Sequence, residues 1–191
     1  MSDATGEVSI PMPSNATASL TIRAATLDDV ERLAAWAIAM ALETEHKRLD
    51  PDTVRRGVRA VLDHPSRGRY FIAARDLPMH ADPSTNMRTT IDAVGVVREA
   101  IGTLMLTHEW SDWRNGDWWW IQSVYVDPTH RRSGVYRALY DHVHALALST
   151  PDVCGLRLYV ERENANAQQT YESLGMRDAG YAMYEAEFVR R

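Results

Sequence analysis

The sequence predicts a single α+β domain over residues 19–191, built on a mixed, largely antiparallel sheet. Three observations lead there. The apolar period switches along the chain to give the order strand, two helices, three strands, helix, strand, helix, strand. A chain of 191 residues suits one well-packed core. Between Trp119 and Leu139, a strand-like run, an Asp-Pro break, a basic turn with glycine and an amphipathic helix succeed one another.

The elements follow in order. Leu20–Arg23 reads as the first strand. Thr26 can cap the next helix, with Asp29 in the capping-box position. Val30, Leu33, Ala34, Ala37 and Met40 mark that helix's buried face. Asp50-Pro51 starts a second helix, with Asp as cap and Pro in the first turn. Val54, Val58, Val61 and Leu62 face its core side, and Pro65 closes it. Arg69–Ala74 is a strand. Residues 77–90 are polar, carry two prolines and have no period, so they read as an exposed loop. Ile101–Leu106 and Asp117–Val126 are strands joined through Ser111–Gly116, whose Asn-Gly pair is the strongest turn signal. Val135, Leu139, Val143 and Leu146 line the third helix. Leu156–Val160 alternates as a half-buried strand, and Asn164 can cap a helix that Gly175 stops. Tyr181–Phe188 reads as a final strand.

The run His130-Arg131-Arg132-Ser133-Gly134-Val135-Tyr136-Arg137 is a phosphate-binding arrangement. The free N–H groups of a turn and first helical residues converge, and the helix dipole adds partial positive charge there. Gly134 lets backbone approach a ligand closely. No Gly-Lys-Ser/Thr follows, so this is not a P-loop. One glycine in place of three excludes the dinucleotide fingerprint.

Arg131 and Gly134 match the Arg-x-x-Gly-x-Gly/Ala signature of the GNAT superfamily of acyl-CoA-dependent N-acetyltransferases, with Tyr136 at the second small position. Downstream, Asn164, Ala167, Tyr171, Glu172 and Gly175 resemble that family's second cofactor segment, Asn-x-x-Ala-x-x-x-Tyr-Glu-x-x-Gly-Phe, with Met176 for the final Phe. The resemblance spans roughly residues 19–188. It implies a GNAT fold with helices on both faces of a sheet that splays apart at the acyl-CoA site. It also implies acetyl transfer from acetyl-CoA, as co-substrate, to a primary amine of a small molecule or peptide. On that resemblance the amides of Arg132, Ser133, Gly134, Val135, Tyr136 and Arg137 bind pyrophosphate beside Arg131. Val124, Tyr125 and Val126 meet pantetheine as an added strand would. Asn164 and Ala167 line the cofactor side, and Tyr171 protonates the departing thiolate. No metal is expected.

An amine of high pKa must lose a proton before it attacks. Many relatives carry a glutamate on the strand before the turn, whereas Trp118–Ser123 holds no carboxylate. The candidates are therefore Glu43, Glu45 and Glu109, acting through water. His46 ends the same helix as the first two. Trp110, Trp113, Trp118, Trp119 and Trp120 crowd one hairpin, with Trp118 and Trp120 on one face and Trp119 on the other. They read as core packing or as an aromatic acceptor pocket. A catalytically weak acyl-CoA-binding or sensing domain is the alternative reading.

Bulk properties narrow the partners. Twenty-one basic against 26 acidic residues give a net charge of -5, which argues against a general nucleic-acid binder. No apolar run approaches the ~20 residues of a membrane span. Residues 1–18, rich in Ser, Ala, Thr and Pro, read as a mobile tail and not as a signal peptide. The only cysteine, Cys154, allows no intrachain disulfide, suits a reducing cytoplasm and reads as a packed structural thiol. A homodimer is compatible with all of this.

Overall fold

The computed structural model describes residues 19–77, 89–91, 97–186 and 188. The expected tail at 1–18 and most of the loop expected at 77–90 lie outside the described residues. The strands are β1 (Leu20–Ala24), β2 (Arg69–Asp76), β3 (Thr89–Ile91), β4 (Val97–Ser111), β5 (Gly116–Val126) and β6 (Val153–Arg157). The helices are α1 (Val30–Glu45), α2 (Pro51–Asp63), α3 (Val135–Ser149) and α4 (Ala165–Ser173). The sheet runs β1-β2-β4-β5-β6, and β3 pairs with the start of β4. Among the described residues only β5 and β6 are parallel, and the other pairs are antiparallel.

Helices cover both faces. On one, Val30, Leu33, Ala34 and Trp36 of α1 and Val58 of α2 pack on Ile72, Ala100 and Tyr125. On the other, Val135, Leu139, Tyr140 and Val143 of α3 pack on Phe71, Leu104, Leu106, Trp119 and Ile121, with Leu174 and Met176 after α4 against the same cluster. Ala37 and Met40, expected to be core, are only half-buried, while Trp36 is buried with its ring 6.1 Å from that of Tyr125. The helix presents a wider stripe than its aliphatic residues alone suggest.

Helix starts are set by local chemistry. Asp50 Oδ2 accepts from the Thr53 amide at 2.8 Å, and Pro51 supplies the first turn. Thr26 and Asp29 form the expected capping box around a single 3-10 turn, Leu27–Asp29, which runs into α1. Asp29 does more than cap. Its buried carboxylate accepts from Arg23 at 2.7 and 2.8 Å and from Arg32 at 2.8 Å, tying β1 to α1.

Two irregularities shape β5. Met105 pairs with Ser123 and Leu106 with Ile121, so Gln122 is an extra residue, a β-bulge. The bulge resets alternation. Trp119 and Ile121 face the α3 side before it and Val124 and Val126 after it, while Tyr125 turns to α1. The second irregularity is where pairing with β6 ends. Asp117 pairs with Val153, Trp118 with Gly155 and Trp120 with Arg157, and there the ladder stops. Beyond Trp120 this side of β5 has no strand partner among the described residues.

The strand expected at Leu156–Val160 therefore sits earlier, because residues 158–160 leave the β5 ladder and pair with no strand among the described residues. Cys154, expected to be buried, is half-buried on this edge strand. β4 is far longer than Ile101–Leu106, since its two ends pair with β3 and with the hairpin. The final strand expected at Tyr181–Phe188 is not formed over 181–186, where every side chain is exposed.

The carboxyl of Asp29 is pulled two ways. Burial alone would raise its pKa, but hydrogen bonds from Arg23 and the Thr26 amide and the two arginine charges leave it lowered. Asp29→Asn should cost about 3 kcal/mol at neutral pH, because it removes the buried negative charge with which Arg23 and Arg32 pair. A lowered folded pKa gives stability that is present above the unfolded value, about 4, and lost as pH falls through the folded value. Urea unfolding should show the two proteins differing at pH 7 and converging at low pH. Equal stability at pH 7 would remove this ion cluster from the account.

Candidate active site

The turn expected to bind phosphate begins at Asp127. Its carboxylate accepts from the Thr129 amide at 3.0 Å and holds a 3-10 turn at Pro128–His130. Arg132 (φ 65°) and Gly134 (φ 84°) then both adopt left-handed backbone, and Gly134 is the N-cap of α3. Left-handed residues next to a helix start turn successive N–H groups toward one concavity, a shape that suits an anion. A Cβ placed on Gly134 would meet nothing within 4 Å, so the space in front of the turn is open.

That space is a cavity of about 330 Å³. Val126, Arg131, Arg132, Gly134, Val135, Tyr136 and Arg137 line one side, and Thr170 and Ser173 of α4, with Leu174 just after it, line the other. The two sequence motifs, some thirty residues apart, thus meet across one cleft. Ser133 lies in the same turn, with its hydroxyl donating to the His130 carbonyl at 2.6 Å. Asn164 caps α4 by accepting from the Ala167 amide at 3.1 Å, as expected.

The cleft continues along the unpaired edge of β5. The Asp127 amide donates to Ile101 of β4 at 2.9 Å. Strand backbone groups alternate in direction, so those of Val126 and Val124 point the other way, to the open edge. The Val126 carbonyl there accepts from Arg131 Nε at 3.0 Å.

Arg131 is accordingly a brace. Its Nη2 donates to Glu43 at 2.5 Å, and its guanidinium lies 5.6 Å from the centre of the Tyr125 ring. Tyr125 in turn donates to the other oxygen of Glu43 at 3.2 Å. Glu43, expected among the proton acceptors, thus ties the end of α1 to the turn.

Two tyrosines lie deeper. Tyr171 packs edge-on against Tyr136, with ring centres 5.8 Å apart. Burial raises the pKa of Tyr171, so its phenol keeps its proton at neutral pH. Tyr136, at the signature's second small position, has a buried hydroxyl with no hydrogen-bond partner among the described residues. Burial first, then the neighbouring Tyr171 and Tyr140, push its ionisation far up.

A second cavity, about 310 Å³, opens on the sheet face opposite α3, where β5 and β6 part. Thr107, Glu109, Trp120, Gln122, Tyr159 and Met183 line it. Glu109 is engaged on both oxygens, by the Trp120 indole N–H and by Arg157 at 2.7 Å. Gln122 donates to the Tyr159 hydroxyl at 2.7 Å. Glu45 pairs with Lys47 at 2.8 Å. The Tyr159 phenol is raised by burial and then by the charges of Glu45 and Glu185.

Glu43 therefore sits with Tyr125, and Glu109 with Trp120, five residues along β5, roughly 16 Å at strand rise. The structure does not bring Glu43 and Glu109 together. Tyr159 and Arg157 were not singled out in the sequence; their role arises from the parting of the strands. The tryptophans divide as expected. Trp119 is core, Trp120 lines the second cavity, and Trp110 and Trp113 are exposed. Trp118 lies over Gly155, where a Cβ would come within 2.5 Å of its ring, and takes Arg157 at 4.1 Å and Arg114 at 5.0 Å on its π-system. Its cation-binding capacity is used internally. Among the described residues, no group of three or more His, Cys, Asp or Glu side chains could hold a metal ion.

The profile of the acetyltransferase (GNAT) family matches residues 58–176, which include the turn, the edge of β5 and α4. The chain belongs to the GNAT acetyltransferase family. A possible acetyltransferase from Clostridium difficile 630 is 37% identical, with 90% of this chain and 99% of that one covered and a TM-score of 0.73. The aminoglycoside N-acetyltransferase AAC(6')-Iy, solved in complex with CoA, shares the fold at 16% identity, covering 93% and 99% of the two chains with a TM-score of 0.64. A ribosomal-protein-alanine N-acetyltransferase from Brucella melitensis biovar Abortus 2308 does so at 15% identity, covering 89% and 100%, with a TM-score of 0.60. No curated protein sequence gives a significant match. No helix among the described residues is long and apolar enough to cross a membrane.

For this GNAT protein the turn is the first place to test. Gly134→Glu puts a charged side chain into the cavity and a Cβ on left-handed backbone. Calorimetry on the folded variant should find acetyl-CoA binding abolished. Near-normal affinity would mean that the turn is not the anion site.

Proposed function

We propose that this protein transfers an acetyl group from acetyl-CoA to a primary amine of a small molecule or peptide. One observation carries the reading: left-handed backbone at the start of α3 opens onto a cleft that continues along an unpaired edge of β5. A pyrophosphate suits the first and an amide-bearing arm suits the second. In this reading the amides of Arg132 to Arg137 hold the pyrophosphate, with Arg131 bracing the turn from behind. Val124 and Val126 pair with the pantetheine arm, beside Tyr125, and Asn164 and Ala167 border it from α4.

Acetyl-CoA would supply an acyl thioester at the point where β5 and β6 part. The β5 amide near Val124 polarises its carbonyl. The neutral amine attacks the carbonyl carbon, the carbon–sulfur bond breaks, and Tyr171 gives its phenolic proton to the departing sulfur. The amine's own proton leaves through water. In this reading Glu109, which lines the second cavity, and Glu45 are the carboxylates that take it up, and Glu43 belongs to the brace. Thr107, Trp120, Gln122 and Tyr159 form the acceptor wall. An intracellular, reducing setting fits the half-buried Cys154.

One observation favours the weaker alternative, an acyl-CoA-binding or sensing domain: Glu109 is already satisfied on both oxygens. Turnover separates the two readings. Tyr171→Phe keeps the packing against Tyr136 and removes only the acid. It should lower kcat roughly ten- to ten-thousand-fold and leave melting temperature and acetyl-CoA affinity near wild type. CoA thiol release from an amine library is the assay. Wild-type turnover in the variant would make Tyr171 a packing residue. No turnover by the wild-type protein on any amine would favour the sensing domain.

A further inference from the structure

Tyr136 puts a phenol where the signature of the turn has a small residue, and its hydroxyl is buried with no hydrogen-bond partner among the described residues. Packing does not call for that oxygen. A phenylalanine would fill the same space beside Tyr140 and Tyr171 without burying an unmade hydrogen bond. Tyr140, one turn further along α3, shows the usual outcome for such a group: its hydroxyl donates to the Leu174 carbonyl at 3.5 Å.

The ring that Tyr136 meets edge-on, with centres 5.8 Å apart, is that of Tyr171. The two phenols differ in how they ionise. Burial raises Tyr171. Tyr136 is raised by burial first, then by charge on Tyr171, then by Tyr140. Tyr171 is therefore the phenol that loses its proton first, and Tyr136 keeps its own while Tyr171 is charged. The pair is a donor with nothing to donate to until its neighbour becomes an anion. An interaction that is absent at rest and made only as charge develops is the kind that lowers a barrier.

We infer that Tyr136 is a positioning residue for the acid step: its hydroxyl donates a hydrogen bond to the Tyr171 oxygen as that oxygen gives up its proton. This rests on the reading of Tyr171 as the acid. In the step the carbon–sulfur bond breaks with its electron pair on sulfur, and the Tyr171 proton moves to that sulfur. The negative charge left on the Tyr171 oxygen is met by the Tyr136 O–H. Tyr171 takes a proton back from water once the CoA thiol has left. No hydrogen bond among the described residues holds the Tyr136 hydroxyl elsewhere.

The test is a double-mutant cycle on the full chain with Tyr136→Phe and Tyr171→Phe, assayed by CoA thiol release. Tyr136→Phe should lower kcat roughly ten- to a hundred-fold, the strength of a hydrogen bond to a charged group, with KM for acetyl-CoA and melting temperature near wild type. In the Tyr171→Phe background the same change should have no further effect. Equal losses in both backgrounds would overturn the inference and leave the acid reading intact. So would wild-type kcat in Tyr136→Phe beside an impaired Tyr171→Phe. Wild-type kcat in Tyr171→Phe overturns the acid reading and this inference with it. A second measurement needs no turnover. In an NMR titration of isotope-labelled tyrosine, the Tyr171 signal, identified by its loss in Tyr171→Phe, should move at lower pH in wild type than in Tyr136→Phe, because the donor favours the phenolate. Curves that coincide up to the pH of unfolding overturn the inference as well.

Discussion

The parting of β5 from β6 beyond Trp120 and Arg157 is the constraint on which the rest of the molecule depends. Parallel neighbours normally keep pairing while both are extended. Here Trp118 lies across Gly155 and leaves no room for a larger residue, so the strands meet tightly at one end. Gln122 then adds a residue to β5, bends it and reverses its facing. Past that point residues 158–160 go their own way. What remains is an exposed strand edge, stable because β4 holds its other side through Gly102–Ser111. A groove for an extended, amide-bearing molecule results from a ladder left unfinished.

The anion turn lies at the end of that edge because β5 feeds α3 through it. The turn needs support, since two left-handed residues are costly without over-determination. The Glu43–Arg131–Tyr125 contacts provide it. Arg131 clamps the last carbonyl of β5, Glu43 holds Arg131, and Tyr125 holds Glu43. α1 reaches this far because Asp29 fixes its start to Arg23 of β1. Glu43, a candidate proton acceptor in the sequence, is held in this strut, and Arg131, a candidate cofactor contact, is its partner. Behind the turn, Tyr136 fills the place of a small residue and supports Tyr171 edge-on.

Much of this was legible in the sequence where the signal is local. Thr26 with Asp29, Asp50-Pro51, Asn164 and Gly175 each write a helix end in a few residues. Val135, Leu139 and Val143 write a helix face. Alternation separates Trp119 from Trp118 and Trp120. What was not legible depends on pairing over distance. No glycine or proline marks the bulge at Gln122; it exists because Met105 and Leu106 fix the register on either side. Arg131 and Glu43 are 88 residues apart, so no window joins them. β6 starts at Val153 because β5 is there to receive it, and residues 181–186 alternate like a strand without a strand partner among the described residues. In the site, the motif residues around Gly134 and Tyr171 could be read, while Tyr159 and Arg157 matter only through the gap that opens beside them.

The central claim is that the start of α3 and the open edge of β5 form one continuous binding surface for a CoA ester. Amide hydrogen exchange with and without CoA tests it most directly. The account predicts slowed exchange at the amides of Arg132–Arg137 and of Val124 together, with little change at Val153–Arg157. Protection of the turn without β5, or of neither, would contradict it.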